Sequence, residues 1–426
     1  MSLTLYTFFS YLILPLYFFR LLIRGIRDNN QLKRWKERVA IPNLKQLDDR
    51  VLWIHAVSVG EVNAAIPLVK VLLQEFPDLG ILVTTSTLTG SDILLSKLKT
   101  KVHHQYLPLD LPYVINRFLK FWQPRLLILL ETEIWPNFIH ICNKKNIPSV
   151  LANARLSEQS LRRYKYIKPL ISNSLEKLDL ILPQYETDAF RFKELSPLHK
   201  GIKVCGNLKF DYEVLDELKV IAKAIRDDWS IEGVLRPTLI AASTHEGEEE
   251  IILDAFKNIL ESINNALLII VPRHPERFDK VSKKILSRNL KVARRSLQQD
   301  VSAKTEVILG DTMGELILLY LASDIAFVGG SLIDHGGQNL LEPASLSKAI
   351  CSGPSLRNFE EVSSQLKNNN ALRIVSNSQE IEDYFIQLMD DEVLRINSGE
   401  FAFEVFKKNQ GATVNILSEL KPYLMH

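Results

Sequence analysis

The feature that most constrains the fold is a regular alternation of short apolar runs with segments of helical period, which begins at residue 51. Strands that are apolar on both faces belong to parallel sheets covered by helices on both sides. The predicted strands of the first series are Val51–His55, Ile81–Thr85, His104–Leu107, Leu126–Leu130, Ser149–Asn153, Leu180–Pro183 and Ile202–Cys205. Those of the second series are Leu239–Ala242, Ala266–Val271, Val307–Leu309, Ile325–Val328 and Ala349–Ser352. The alternation therefore predicts an α/β protein.

Two series of this kind in 426 residues indicate two domains. We expect Rossmann-like domains over residues 26–211 and 212–400, with the boundary in the polar stretch Asp211–Pro237. A C-terminal helix over residues 401–426 is expected to pack back on the first domain. Among the connecting helices, Glu158–Leu178 and Gln338–Leu346 are each predicted to be continuous. Two facing Rossmann-like domains with a cleft between them are the architecture of the GT-B glycosyltransferases, although a fold alone does not establish a function.

Composition excludes several classes of protein. The net charge of +2 gives no argument for nucleic-acid binding. Cys142, Cys205 and Cys351 lie far apart and form no CxxC pair, which favours reduced thiols over a disulfide framework or a thiolate zinc site. The sequence contains neither HExxH nor Asp-x-Asp, the usual pair that holds a metal on a nucleotide diphosphate. We therefore expect chemistry that uses no metal and no cofactor.

The N-terminal segment Leu3–Ile23 is long and apolar enough to cross a bilayer as a helix, and residues 1–25 are predicted to be a membrane anchor. Pro15 and Arg20 weaken the case for a simple span, so a segment lying in the membrane interface and a buried helix remain as alternatives. Basic residues follow on the C-terminal side: Arg20, Arg24, Arg27, Lys33, Arg34, Lys36 and Arg38. By the positive-inside rule, this side and the rest of the chain face the cytoplasm.

Glu61 is the first candidate for catalysis. It ends the segment Ser58-Val59-Gly60-Glu61, which follows the first predicted strand and lacks the G-x-G-x-x-G pattern of dinucleotide sites. A glutamate in the first turn of a helix commonly complements the helix dipole. A carboxylate at the end of a strand beside a cleft can equally act as a general base. Position alone leaves both interpretations open.

Two further segments of the first domain carry candidate residues. Glu131 and Glu133 follow the fully apolar strand Leu126–Leu130, so at least one of them must be held in the cleft or paired, because burying an unpaired carboxylate is costly. The alternatives are that both carboxylates are solvated or that Asn137, in the same segment, simply caps the next helix. Lys209, in Gly206-Asn207-Leu208-Lys209-Phe210-Asp211, lies close to the predicted domain boundary. It is either a ligand for a leaving phosphate or an ordinary surface lysine.

The second domain has three loops that suit a nucleotide. Arg273, in the stiff segment Val271-Pro272-Arg273-His274-Pro275, offers a planar fork that matches phosphate. The loop from Gly310 to Glu315 joins a strand to a helix, where backbone N–H groups bind anions. Two glycine pairs surround the polar loop before Glu342, which is placed to accept hydrogen bonds from a ribose. The glycines alone are weak evidence for such a site.

Taken together, these segments resemble the 3-deoxy-D-manno-octulosonic acid (Kdo) transferase family over nearly the whole chain. The matching segments are HAVSVGEV (55–62), ETEIWPN (131–137), GNLKFD (206–211), PRHPERF (272–278), GDTMGEL (310–316) and GGQNLLEP (336–343). The resemblance implies transfer of Kdo from CMP-β-Kdo to a lipid A precursor at the cytoplasmic face of the inner membrane. The first domain would then bind the acceptor and the second the donor.

The resemblance also implies a role for individual residues. Glu61 matches the catalytic base, and Glu131 and Lys209 match residues that stabilise the transition state. The positions that would contact CMP are Pro272, Arg273, Met313, Gly314, Glu315, Asn339, Leu340, Leu341 and Glu342. The number of Kdo units added does not follow from these motifs. A sugar-nucleotide epimerase of similar fold and a non-catalytic, membrane-tethered binding protein are the alternative functions.

Overall fold

The computed structural model describes residues 1–27, 34–42, 51–211 and 216–425. The chain divides into two compact units, one formed by residues 1–212 and 409–426 and the other by residues 213–408. Each unit contains one parallel sheet with helices on both of its faces.

The first unit is built on a six-stranded sheet. Its strands are β1 (Leu52–His55), β2 (Ile81–Thr85), β3 (His103–Tyr106), β4 (Leu126–Leu130), β5 (Ser149–Ala154) and β6 (Leu180–Pro183). The order β3-β2-β1-β4-β5-β6 is that of a Rossmann sheet. The strand order reverses between β1 and β4, and ligands of such sheets bind outside the carboxyl ends of the strands at this switch point.

The helices of the first unit are α1 (Leu3–Arg27), α2 (Val59–Glu75), α3 (Leu88–Leu98), α4 (Pro112–Trp122), α5 (Pro136–Lys144), α6 (Glu158–Tyr166), α7 (Lys168–Leu175) and α8 (Glu186–Leu195). The prediction of one helix over Glu158–Leu178 is wrong. The helix breaks at Ile167, because Pro169 in the first turn of α7 has no N–H to donate to the carbonyl oxygen four residues earlier and its ring clashes with that carbonyl. The predicted strand Ile202–Cys205 is also wrong, because only an isolated bridge between Ile181 and Ile202 forms there.

The second unit contains a seven-stranded sheet of order β13-β12-β11-β7-β8-β10-β9. Its strands are β7 (Thr238–Thr244), β8 (Leu267–Pro272), β9 (Val292–Arg294), β10 (Val307–Leu309), β11 (Ile325–Val328), β12 (Ala349–Ser352) and β13 (Leu372–Ile374). The short edge strands β9 and β13 were not predicted. The switch point of this sheet lies between β7 and β11, so their carboxyl ends mark its ligand-binding edge.

The helices of the second unit are α9 (Asp216–Asp228), α10 (Glu248–Ser262), α11 (Phe278–Ser287), α12 (Leu316–Leu321), α13 (Leu341–Ser345), α14 (Glu360–Asn368), α15 (Ser378–Asp390) and α16 (Glu392–Lys408). The helix predicted over Gln338–Leu346 begins only at Leu341, because the Gly-Gly loop runs on to Leu340. The last helix, α17 (Ala412–Leu424), belongs to the first unit. Ala412, Ile416 and Leu420 are buried in that unit's core.

Burial on both sheet faces explains why the strands are continuously apolar. In β1, Leu52 and Ile54 belong to one core cluster, while Trp53 belongs to the cluster on the opposite face. Trp53 packs there against Phe118 and Phe138. The predicted α/β class with two parallel sheets is confirmed.

Candidate active site

Glu61 lies in the first turn of α2, directly beyond the carboxyl end of β1. One of its carboxylate oxygens accepts a hydrogen bond from the backbone N–H of Val57 (2.8 Å), and the other accepts one from the Ser58 hydroxyl (3.2 Å). Burial raises the pKa of Glu61 to about 7, and the negative charges of Glu131 and Glu133 add to this effect. The hydrogen bonds from Val57 and Ser58 oppose it. A carboxyl group that titrates near neutral pH is suited to general base catalysis.

Glu131 and Lys209 form an ion pair at the same edge of the sheet. Lys209 Nζ lies 2.7 Å from Glu131 Oε1, and both side chains are largely screened from solvent. Glu131 is the residue after β4 and adopts a left-handed backbone conformation with φ of 55°. Non-glycine residues pay a steric cost in this region, and such residues cluster at functional sites. The strand ends therefore bring Glu61, Glu131 and Lys209 together at the switch point.

Lys209 is held from two sides. On one side, the backbone N–H of Leu208 donates to Asn153 Oδ1 at the end of β5, and that of Lys209 donates to Asn207 Oδ1. On the other side, the Asp211 carboxylate accepts hydrogen bonds from the backbone N–H groups of Gly411 and Thr413, at the start of α17. The C-terminal helix thus supports the segment that carries Lys209.

Glu133 provides a third carboxylate that the sequence did not assign to a role. Trp135 Nε1 donates to Glu133 Oε2 over 2.8 Å, and His55 Nε2 lies 3.5 Å from the same oxygen. The His55 ring is fully buried, and its Nδ1 contacts Thr84. His55 belongs to the matched segment 55–62, and its ring contacts the Glu133 carboxylate. The cluster therefore contains three carboxylates, of which Glu131 is paired with a lysine.

In the second unit, Arg273 directly follows β8. Its backbone N–H donates to the carbonyl oxygen of Thr244 (3.0 Å), which fixes the start of the loop, while its side chain is exposed. The neighbouring Arg277 is instead engaged in a bidentate ion pair with the buried Glu249, at 2.7 and 2.9 Å. Of these two arginines, Arg273 is therefore the one available to a ligand.

The loop before α12 places Glu315 between two donors. Arg295 donates to its carboxylate over 2.7 Å, and the Thr312 hydroxyl makes a short hydrogen bond to it. Burial works to raise the pKa of Glu315, but these hydrogen bonds outweigh it and hold the pKa below its ordinary value. Gly314 has a φ of 89°, and the Met313 side chain is exposed. The loop thus presents an ionised carboxylate and an accessible thioether.

The candidate residues 339–342 differ in what they can offer a ligand. Asn339 Oδ1 accepts a hydrogen bond from the backbone N–H of Leu341 over 3.1 Å and so orders the start of α13. The side chains of Leu340 and Leu341 are buried, so only backbone groups of these two residues can reach a ligand. Glu342 is half-buried in the first turn of α13.

Glu248, which the sequence analysis did not single out, organises the ligand-binding edge of the second sheet. Its side chain is fully buried in the first turn of α10. The carboxylate accepts hydrogen bonds at 2.7–3.0 Å from four backbone N–H groups, those of His245, Gly330, Ser331 and Leu332. It thereby ties the loop after β7 to the loop after β11 across the switch point. Three consecutive glutamates at a helix start gave no sign that this one faces inward.

Replacing Glu248 by glutamine should lower the free energy of unfolding by about 2–4 kcal/mol, because two backbone donors lose their acceptor in a buried site. Urea denaturation followed by circular dichroism measures this loss. The matched control is Glu246→Gln, at an exposed position two residues earlier, which should leave the unfolding midpoint near that of the native protein. Equal effects of the two substitutions would contradict the structural role of Glu248.

Three histidines also lie at this edge. The His245 and His335 rings stack at 4.4 Å between centroids, and His274 meets His245 edge-on at 5.4 Å. Burial lowers the pKa of His245 to about 4, with the neighbouring histidines and arginines acting in the same direction. Gln338 Nε2 lies 3.1 Å from His245 Nε2. Among the residues that the structure describes, no group of three or more His, Cys, Asp or Glu side chains is arranged to hold a metal ion.

Known proteins are similar to this chain over most of its length. The family described as 3-deoxy-D-manno-octulosonic-acid transferase (kdotransferase) matches residues 33–212. A Haemophilus influenzae 3-deoxy-D-manno-octulosonic acid transferase is 42% identical over 374 residues, which cover 88% of this chain and 87% of the relative. A probable mitochondrial 3-deoxy-D-manno-octulosonic acid transferase of Arabidopsis thaliana is 34% identical over 382 residues, or 89% of this chain and 85% of the relative.

A solved structure of UDP-GlcNAc 2-epimerase from Neisseria meningitidis bound to UDP-GlcNAc superposes with a TM-score of 0.55. The superposition covers 88% of this chain and 100% of that one, at 15% sequence identity. At this identity the likeness concerns the fold alone.

The two Rossmann-type sheets, each with candidate residues beyond the carboxyl ends of its strands, are those of the GT-B fold. The sequence relationships make the assignment narrower. The chain belongs to the 3-deoxy-D-manno-octulosonic acid transferase family and is a glycosyltransferase.

Proposed function

We propose that this enzyme transfers Kdo from CMP-β-Kdo to a lipid A precursor, a tetraacyldisaccharide 4'-bisphosphate, with inversion at the anomeric carbon. The observation that carries the proposal is Glu61, a carboxyl group with a pKa of about 7 beside the Glu131–Lys209 ion pair. The family relationship indicates that Kdo is the transferred sugar. The resemblance of the second-unit loops to those of the family indicates that CMP-Kdo is the donor. The proposal concerns the donor, the acceptor and the role of each residue.

In the proposed reaction, Glu61 accepts the proton of the acceptor hydroxyl. That oxygen then forms a bond to the anomeric carbon of Kdo on the face opposite CMP, while the bond from this carbon to the phosphate oxygen breaks. CMP leaves with the bonding electron pair, so negative charge develops on its phosphate. Lys209 and Arg273 provide positive charge for this group, because fixed cations stabilise a charge that grows in the transition state.

We propose that CMP binds to the second unit through Pro272, Arg273, Met313, Gly314, Glu315 and the residues 339–342. The exposed Arg273 guanidinium suits the phosphate, since its fork matches two phosphate oxygens. Glu342, in the first turn of α13, is proposed to accept hydrogen bonds from the ribose hydroxyls. Leu340 and Leu341 would contribute backbone groups, because their side chains are buried.

The proposed reaction uses neither a metal nor a cofactor. The leaving group is a nucleoside monophosphate, which carries less charge than the diphosphates that enzymes usually bind through Mg²⁺. Lysine and arginine side chains can balance that smaller charge.

We also propose that the enzyme is attached to the cytoplasmic side of the inner membrane through α1, where its lipid acceptor is found. The segment Leu3–Leu21 is long and apolar enough to cross a membrane. The basic residues that follow α1 offer less positive charge to a membrane surface than the sequence suggested. Arg34 forms a bidentate ion pair with Glu37, and Arg38 donates to the Ser86 carbonyl oxygen. Lys33 and the side chains of Arg24 and Arg27 lie outside the described residues.

Mass spectrometry of the product from CMP-Kdo and tetraacylated lipid A precursor tests the proposed function. We expect the acceptor mass to increase by one or more Kdo units, and the same increase in excess chelator. The epimerase alternative is tested in parallel, because the epimerase fold matches this one. Incubation with UDP-N-acetylglucosamine should leave that compound unchanged. Epimerisation without an acceptor, or an unmodified lipid, would overturn the proposal.

A further inference from the structure

Helix α1 has two different faces. Its exposed large apolar residues repeat at intervals of three and four residues, the period of one helix face, and include Leu5, Phe8, Phe9, Leu12, Ile13, Leu16, Phe19 and Ile23. The opposite face carries Tyr6, Thr7, Ser10, Leu14 and Leu21, which are half-buried or buried. From Leu5 to Phe19 this face is apolar, and the exposed Arg20 interrupts it only towards its C-terminal end. An apolar face on one side alone is typical of helices that lie on a membrane surface.

The inner face of α1 is bound to the folded domain near its N-terminal end. The Tyr6 hydroxyl donates to Asp110 Oδ2 over 2.8 Å, and the Thr7 hydroxyl donates to Asn137 Oδ1 over 2.7 Å. Asp110 is buried, and its carboxylate also accepts hydrogen bonds from the backbone N–H groups of Asn137 and Phe138, at the start of α5. These contacts join α1 to the first turn of α5.

The inner face remains in contact with the domain further along. Leu14 packs against the core cluster that contains Trp53. Phe18 meets Trp35 edge-on at 6.1 Å between ring centroids, and Leu21 is buried. From Tyr6 to Leu21 the helix advances by about 22 Å. A helix that crosses the hydrocarbon core needs about 30 Å surrounded by lipid. A spanning α1 would therefore carry Asp110 and Asn137 into the bilayer, where polar groups are costly.

We infer that α1 lies in the plane of the membrane interface, with its apolar face in the lipid and with Tyr6 and Thr7 holding its inner face on the domain. The inference rests on the proposed membrane attachment and specifies its geometry. Asn137 is the last residue of the segment that begins with Glu131. The two hydroxyl groups thus couple the membrane-bound helix to the segment that carries the Glu131–Lys209 pair, and Tyr6 and Thr7 act as positioning residues.

The orientation is tested by nitroxide labels on single cysteines, Leu5→Cys, Leu12→Cys and Phe19→Cys, in the full chain on vesicles that contain phosphatidylglycerol. These positions are seven residues apart and share the outer face, and the native cysteines in the described part of the chain are buried. An in-plane helix places all three labels at one depth, about 5–10 Å into the membrane. A spanning helix places Leu12 about 10 Å deeper than the other two, and that profile would overturn the inference.

The coupling is tested by the double variant Tyr6→Phe/Thr7→Val, which removes both hydroxyl groups from the inner face. The matched control, Thr4→Val/Tyr11→Phe, makes the same changes at exposed positions. We expect Kdo transfer to acceptor in vesicles to fall about tenfold in the inner-face variant, as for the loss of one to two hydrogen bonds. Transfer to acceptor in detergent micelles should stay within about twofold of the native rate, and the control should match the native enzyme in both assays.

Equal losses of the inner-face variant in vesicles and in micelles would show that the two hydroxyl groups only stabilise the domain, and the coupling would be wrong. If that variant does not fold, the label depths still decide the orientation, because they are measured at exposed positions. Label depth requires no turnover. Failure of the in-plane orientation is therefore distinguishable from failure of the proposed transferase reaction.

Discussion

Glu61→Gln should reduce the turnover of Kdo transfer by about 10²–10⁴-fold, the range typical for removal of a general base. Glutamine preserves the shape of the side chain and an oxygen that can accept the Val57 or Ser58 hydrogen bond, but it cannot take a proton. The affinity for CMP should stay near the native value, because the residues proposed to bind it lie in the other unit. Initial rates and calorimetric titration with CMP measure the two quantities.

The pH dependence of turnover by the native enzyme should reflect the ionisation of Glu61. A base with a pKa of about 7 is protonated and inactive at pH 5, so the rate should rise through neutral pH and level off above it. Asp92→Asn, which removes an exposed carboxylate from α3, is the matched control and should keep both the rate and its pH profile. Retained turnover in Glu61→Gln would remove Glu61 from the proposed role.

The pH dependence of the free energy of unfolding provides an independent test of the raised pKa of Glu61. Its pKa in the folded protein, about 7, lies above the ordinary value of 4.5, so the folded state binds this proton more tightly than the unfolded state. The contribution of the protonated group to stability is complete below pH 4.5 and is lost as the pH rises to about 7. Ionised Glu61 therefore costs on the order of 3 kcal/mol at pH 8. Glu61→Gln should accordingly be more stable than the native protein at pH 8 and should lose this advantage at pH 4.5.

The sheets could be predicted from the sequence because both of their faces are buried. A run such as Leu126–Leu130 has one interpretation when every residue in it is apolar, and the structure places β4 on the same residues. The edge strands β9 and β13 have three residues each and are partly exposed, which leaves too little apolar pattern for recognition. The break between α6 and α7 is visible in the sequence as Pro169, but helical periodicity continues on both sides of it.

The candidate site was predictable as a set of residues but not as a set of contacts. Glu131 and Lys209 are 78 positions apart, and their pairing depends on β5 lying beside β4 and on Asn153 receiving the Lys209 segment. The sequence alone likewise could not show that, of three adjacent glutamates, Glu248 and Glu249 are buried or that Glu248 binds the loop after β11. For α1, hydropathy indicated a membrane segment, whereas the bonds of Tyr6 and Thr7 to the domain depend on the tertiary structure.

Lys209→Met should reduce turnover by about 10²–10³-fold, the loss typical when one fixed donor to a developing charge is removed. It should also move the acid limb of the pH–rate profile to higher pH, because Glu131 then keeps its charge beside Glu61 without a compensating cation. Glu131→Gln should move the same limb to lower pH, since the negative charge of Glu131 helps to raise the pKa of Glu61. Rates measured from pH 5 to pH 9 report both shifts.

The double variant decides how Glu131 acts. If Glu131 works by holding Lys209 in place, Glu131→Gln should cost about tenfold on its own and almost nothing further in the Lys209→Met background, because the two residues would act as one unit. Lys203→Met removes a lysine whose Nζ lies 2.6 Å from Glu419 in the same unit, and it serves as the matched control. It should change neither the rate nor the pH profile. If the two losses multiply in the double variant, Glu131 contacts the reacting groups itself. If both single variants shift the acid limb in the same direction, the electrostatic coupling of Glu61 to this pair is wrong.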